Sequence, residues 1–245
     1  MNIQTYYSIL QSIVSPEKIV KACKAAGYDK LILCDTNLSG AVQFYEECNK
    51  IDKDGKEDGH PFKTKPIIGL KLKICELSTS EKGEHNRTYE TIVIAKNLVG
   101  YKNLLKIVSK SNNIENILDT KYQRIPRLNL NDVRGLTDGL ACILGERNSE
   151  LNPNDDKTAQ EYVINKYKDV FSEVINQLEE PIIWQDVRYL DQKYKEDFLI
   201  LLSILLKCTL KNLPEIIRAE LPELSYLMDG DYSLKNKSLV YDEIN

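Results

Sequence analysis

Two aspartates stand where strand ends could present them for chemistry. Asp35 closes the run Lys30-Leu31-Ile32-Leu33-Cys34, and Asp186 closes Pro181-Ile182-Ile183-Trp184-Gln185. Both runs are short and apolar, as a buried strand is. A carboxylate at the carboxyl end of a strand, just ahead of a helix, is where parallel α/β folds hold ligands. The competing reading of Asp35 is an aspartate that only stabilises its turn. Asp229-Gly230-Asp231 also spells a D-x-D pair, but it lies in a loosely patterned tail with no flanking apolar strand and reads as a turn. The chain's two histidines, His60 and His85, lie in polar stretches and read as solvated loop residues. No phosphate-cradling P-loop, dinucleotide-binding glycine fingerprint, nucleophile-elbow serine or H-E-x-x-H zinc motif occurs.

The elements that must position these groups alternate along the chain. Ser15-Pro16-Glu17 is a helix start; Ile19, Val20, Cys23 and Ala26 then recur on one face, and Gly27 ends the helix. After the strand at 30–34, Asn37-Leu38-Ser39-Gly40 supplies turn and cap chemistry, and Ala41, Val42, Phe44, Tyr45 and Cys48 predict a helix over 40–49. Lys65–Ile74 and Thr88–Ala95 read as strands, Gly100–Val108 as an amphipathic helix and Gly139–Gly145 as a buried strand. A helix is expected over 157–178, with Tyr162, Val163, Tyr167, Val170, Phe171, Val174 and Ile175 on one stripe. The strand Pro181–Val187 and a helix over 192–207 follow. Residues 50–64 and 77–87 are polar loops, and 111–138 are weakly patterned. Strands alternating with helices specify a mostly parallel sheet with crossover helices. Strands near 30–34, 66–73, 89–95, 139–145 and 181–187 should lie side by side, with Cys34, Ile68, Ile92, Ile143 and Ile183 buried.

Composition sets the outer bounds. The chain has 245 residues, 33 basic and 37 acidic, for a net charge of −4. That balance leaves no electrostatic footprint for tight, sequence-independent nucleic-acid binding, so weak binding is expected. Cys23, Cys34, Cys48, Cys75, Cys142 and Cys208 are widely spaced, form no C-x-x-C pair and read as buried reduced thiols of a cytoplasmic protein. MNIQTYYSIL lacks the basic and apolar regions of a secretory signal. The longest apolar stretch, Phe198–Leu206, is interrupted by Ser203. It falls far short of the roughly 20 residues of a membrane span.

Several stretches, in order and spacing, carry a resemblance. They are YYSILQSIVSPEKIV (6–20), CDTNLSGAVQFY (34–45), KPIIGLKLKI (65–74), ETIVIAKNLVGYKNLLKI (90–107), PRLNLNDVRGLTDGLACILGE (126–146) and WQDVRYLDQKYKEDFLILLSI (184–204). Together they resemble the polymerase-and-histidinol-phosphatase (PHP) domain at the N-terminus of bacterial DNA polymerase III alpha subunits. The resemblance implies a distorted (β/α)7-type barrel over 1–210. DYSLKNKSLVYDEI (231–244) resembles the segment beyond that domain, so 211–245 is expected to be an extension at the start of the polymerase-linking segment. In the family, strand ends hold a cluster of divalent ions, mostly on histidines. Some members use it for phosphoesterase or proofreading exonuclease activity; in others the domain is silent and docks a separate proofreading exonuclease.

The ligand positions implied by that resemblance carry other residues here. The His-x-His motif falls on Asn2 and Gln4, the Asp-His motif on Asp35 and Thr36, and the Gly-x-Glu position on Lys71. The next histidine position carries Glu90, the cysteine position Glu146, and the final Asp-x-His reads Asp186-Val187-Arg188. A protonated lysine or arginine has no lone pair to offer a cation. The expectation is therefore no metal, no cofactor and no catalytic residue. Lys71 and Arg188 would neutralise carboxylates, with at least one of them within about 4 Å of Asp35 or Asp186. The function this implies is a catalytically inactive module that docks replication proteins, the proofreading exonuclease or the polymerase core, with no membrane partner. Two alternatives stay open: a phosphoesterase or exonuclease with a carboxylate-only metal set, and a free-standing, virus-encoded mimic that competes for host replication proteins.

Overall fold

The computed structural model describes residues 2–50, 64–83, 85–145, 149–178, 186–221 and 224–235. Two compact units divide the chain. The first holds residues 1–35, 39–66 and 183–245, and the second holds 36–38 and 67–182.

The first unit contains β1 (Asn2–Ile3), α1 (Pro16–Ala25), β2 (Lys30–Asp35) and α2 (Ala41–Asn49). Ser15 caps α1 by accepting from the Lys18 amide, with Pro16 in the first turn, as the sequence predicts. Gly27 follows with φ +84°, a conformation that glycine adopts without strain. The buried faces are Ile19, Val20 and Cys23 on α1 and Ala41, Phe44 and Cys48 on α2, and the two helices pack together.

The second unit begins within β3 (Lys65–Cys75), an apolar run that then alternates. It continues through β4 (Thr88–Ala95), α3 (Leu98–Ser111), β5 (Ile117–Asp119), β6 (Arg124–Pro126), β7 (Leu128–Asn129), α4 (Leu130–Val133), β8 (Leu140–Leu144), α5 (Lys157–Lys168) and β9 (Val174–Asn176). The chain then returns to the first unit with β10 (Asp186–Val187), α6 (Lys195–Leu205), α7 (Leu213–Glu220) and α8 (Tyr226–Asp229).

In the first unit β1 pairs in parallel with both β2 and β10. In the second unit β7 pairs with β3 and β9 with β8, both in parallel, while β4 runs antiparallel to β3 and to β8. The expected mostly parallel sheet is thus a mixed one. The reason lies between β3 and β4. The described residues between 76 and 87 contain no helix, and a parallel connection needs a crossover of a dozen or more residues, usually helical. The loop is instead a compact turn. Asn86 accepts from the Leu77 amide at 2.9 Å and donates to the carbonyls of Ser78 and Glu81, each at 2.8 Å.

Burial matches expectation at Cys34, Ile92 and Ile143; Ile68 is only half-buried, because it sits at the outer end of β3, and Ile183 lies outside the described residues. The helix expected over 157–178 ends at Lys168. Val174 and Ile175 belong to β9 and pair with Cys142 and Ile143, and Tyr162 is 70% exposed. The apolar stripe was continuous in sequence, but its last members answer to a strand neighbour. Five cysteines are buried and all six are free thiols; burial pushes the Cys48 thiol up to about 12.

The start of α3 is fixed by a close approach. Asn97 caps the helix by accepting from the Gly100 amide at 3.0 Å. A Cβ on Gly100 would lie 2.0 Å from the Gly139 carbonyl oxygen, and Gly139 has φ +72°. Neither backbone segment can shift without breaking the cap or the Lys96 amide bond to the Gly139 carbonyl. Gly100→Ala should therefore destabilise the protein by about 2–3 kcal/mol, read as a lowered denaturant midpoint at unchanged m. A loss under about 0.5 kcal/mol would mean that the approach is not constraining.

Candidate functional site

The first unit gathers its polar groups at the ends of three parallel strands. Asn2 pairs with Asp186 on one side and Ile32 on the other, and Ile3 with Val187 and Leu33. One step further along each strand stand Gln4, Cys34 and Arg188, then Thr5 beside Asp35. Ser12 ties the ends together, its hydroxyl donating to the carbonyls of Gln4 at 2.9 Å and Arg188 at 3.1 Å.

Asp35 is fully buried and its two oxygens are heavily used. Oδ1 accepts from the Thr5 amide at 2.7 Å and the Ser8 hydroxyl at 2.6 Å, and Oδ2 accepts from the Thr5 hydroxyl at 2.6 Å. Such charge-assisted bonds replace water around a buried carboxylate. They also pin the segment after β1 onto the end of β2. Asp35 therefore does more than stabilise its own turn: its donors lie about thirty residues upstream. Thr36 follows and is half-buried.

Gln4 is fully buried, with Nε2 donating to Gln11 Oε1 at 2.9 Å and its own Oε1 without a partner among the described residues. Arg188 is 6% exposed. Its Nη1 donates to the Gln11 carbonyl at 3.3 Å, and its guanidinium lies 5.8 Å from the Phe198 ring centroid and 5.7 Å from that of Tyr232. Cation–π contacts of this kind suit a buried guanidinium, which is weakly hydrated.

The second unit carries the ion pairs. Lys71 Nζ lies 3.1 Å from Glu90 Oε1, and Lys73 Nζ lies 2.9 Å from Glu90 Oε2. Strand register makes this triad. Lys73 stands directly opposite Glu90 across the β3–β4 ladder, and Lys71 is its diagonal neighbour on the same face. The other face belongs to the helices, where the Thr91 and Tyr167 hydroxyls are 3.2 Å apart. Burial by itself raises the Glu90 carboxyl; the ammonium groups of Lys73 and Lys71, with the hydrogen bonds they donate, outweigh it and hold the carboxyl well below the usual carboxylate range.

By unit, Gln4, Asp35 and Arg188, with the backbones of Asn2 and Asp186, belong to the first, and Thr36, Lys71 and Glu90 to the second. Glu146 lies outside the described residues, as does His60. His85 is exposed and pairs with Glu81 at 3.2 Å. Among the described residues no three His, Cys, Asp or Glu side chains are grouped to hold a metal ion. Thr5, Ser8 and Lys73 are the participants that sequence reading did not single out. The alternation of Lys71 and Lys73 was visible, but its meaning depends on the antiparallel register with β4.

Residues 1–179 match the PHP domain family. This chain belongs to that family. The PHP chain is also similar to several proteins named DNA polymerase III subunit alpha. That of Borreliella burgdorferi is 31% identical over 146 residues, covering 58% of this chain and 11% of the relative. That of Treponema pallidum is 29% identical over 147 residues, with the same coverage of both chains. That of Helicobacter pylori is 26% identical over 214 residues, covering 83% of this chain and 16% of the relative. The PHP chain therefore spans about a tenth to a sixth of the length of these relatives.

Two measurements test the geometry. Asp35→Ala strands three donors and should cost about 2–4 kcal/mol in urea unfolding; Asp35→Asn keeps one acceptor oxygen and should cost less. Equal stabilities of Asp35→Ala and wild type would refute the anchoring role. For the triad, Glu90→Gln should destabilise at pH 7 by about 1–3 kcal/mol, because two ammonium groups lose their counter-charge. The folded carboxyl titrates below the unfolded value of about 4.3, so its contribution is full above that value and drains away as pH falls beneath it. The gap between wild type and Glu90→Gln should accordingly shrink between pH 6 and pH 3. A gap independent of pH would show that the ion pairs contribute nothing.

Proposed function

We propose that this PHP domain is catalytically inactive and serves as a docking module of a DNA replication polymerase, binding a proofreading exonuclease or the polymerase core. The observation that carries the reading is the Lys71–Glu90–Lys73 triad. Lys71 and Glu90 stand at positions where the family resemblance expects metal ligands, and Lys71 and its neighbour Lys73 occupy the carboxylate. A divalent ion placed there would meet ammonium groups that repel it and cannot coordinate it. Asp35 supports the same reading, since Thr5 and Ser8 already draw on both of its oxygens. Among the described residues the donor set does not fit a phosphoesterase cluster, which needs imidazoles and carboxylates with open lone pairs.

The name of the relatives, DNA polymerase III subunit alpha, supports a role in replication. We take the architecture to be the family's distorted barrel over residues 1–210, with 211–245 as an extension, and the compartment to be the cytoplasm. Among the described residues no helix is long and apolar enough to cross a membrane.

The test pairs binding with chelation. The purified chain should retain an exonuclease or polymerase subunit of its own replication system in a pull-down. It should show no phosphoesterase or exonuclease turnover with Mg²⁺ or Mn²⁺, and EDTA should leave its melting temperature unchanged. Metal-dependent turnover, or a large drop in melting temperature with EDTA, would favour the carboxylate-only enzyme instead.

A further inference from the structure

The outward face of α3 carries several exposed apolar side chains. Leu98 is 67% exposed, Val99 55% and Leu105 43%. Leu98, Lys102 and Leu105 recur at i, i+4 and i+7, so they form one stripe; Val99 and Lys106 flank it. Leu104 and Ile107 are fully buried and hold the helix to the core, while Tyr101 and Val108 are half-buried. The exposed leucines are therefore surplus to what holds the helix in place.

Charge sets this stripe apart as well. From Thr91 to Ile114 the chain carries Lys96, Lys102, Lys106 and Lys110 and no Asp or Glu. Lys96 is paired with Glu173 and Lys110 with Asp132, both on neighbouring elements. Lys102 and Lys106 are exposed and make no ion pair or side-chain hydrogen bond among the described residues. Two uncompensated cations thus flank an aliphatic strip on a rigid helix, in a chain whose net charge is −4.

We propose that this face of α3 docks an acidic amphipathic helix of a protein partner, with leucine-like anchors between Leu98 and Leu105 and carboxylates against Lys102 and Lys106. The partner's place in a replication assembly rests on the docking function proposed above; the chemistry of the face does not. The spacing matches helix-on-helix recognition, in which anchors recur at i, i+3 or i+4, and i+7. Complementary charge steers the encounter and fixes register. Nucleic acid fits less well, because the most exposed apolar side chains, Leu98, Val99 and Leu105, are aliphatic and give bases no stacking face. A membrane fits less well too, since the main apolar stripe of α3 is already committed to the core.

The test uses defined probes against the whole chain. Fluorescence anisotropy would follow a labelled amphipathic helical peptide of about 20 residues with Leu at heptad positions and Glu between them. Its controls are the same peptide with Lys for Glu, a single-stranded DNA of similar length, and anionic phosphatidylserine vesicles. The acidic peptide should bind at least tenfold more tightly than every control at low salt. The double variant Lys102→Glu/Lys106→Glu should lose at least tenfold and gain affinity for the lysine peptide, and Leu98→Ser/Leu105→Ser should lose a similar amount. Val42→Ser, on the exposed face of α2, should change nothing. Equal binding of both peptides, tighter binding of DNA or vesicles, or α3 variants that bind as wild type would overturn the proposal. If the acidic peptide binds as expected but no replication protein is captured in the pull-down, the docking face stands and the replication assignment falls.

Discussion

A charge taken out of water must be answered, and that constraint shapes both units of this protein. Glu90 is answered by two ammonium groups and Asp35 by an amide and two hydroxyls. The difference matters. The Asp35 bonds from these neutral donors are short and several, at 2.6–2.7 Å. At Glu90 the cations overcompensate, and burial alone would have raised the carboxyl rather than lowered it. Arg188 follows a third route, with its guanidinium set against aromatic faces and a carbonyl.

Strand pairing makes these answers possible. In the β3–β4 ladder Lys73 faces Glu90 because Gly69 faces Ile94 and every intervening pair keeps step. A slip of one residue would move the lysines to the face that carries Thr91, against α5, where Tyr167 already holds the polar contact. Register is thus enforced from both faces at once. The turn at residues 76–87, held by Asn86, fixes it from the end. In the first unit the equivalent work is done by Ser12 and Asp35, which fasten the segment after β1 across its two neighbouring strands.

Membership of the PHP family connects this scaffold to the polymerase subunits it resembles. The exposed, lysine-flanked stripe of α3 is built on a helix whose start is locked by Asn97 and the Gly100–Gly139 approach. A recognition surface on such a rigid element loses little entropy on binding.

The sequence by itself determined the local elements and the family. Caps, breakers and apolar spacing placed α1, α2, α3 and β8 close to their observed bounds, because those signals act within a few residues. The ordered strings from Tyr6 to Ile204 carried the resemblance. The ion pairs were only half legible: Lys71 and Glu90 were singled out, but their pairing with each other and with Lys73 was not. Strand direction decided that, and direction depends on which distant segments share hydrogen bonds. The same limit misplaced Val174 and Ile175, whose apolar spacing extends a helix in sequence but whose partners are Cys142 and Ile143. It also hid Thr5 and Ser8, two ordinary loop residues until β1 and β2 lie side by side and bring them to a buried carboxylate. Periodicity is written along the chain; counter-charges and register exist only once segments far apart in sequence have met.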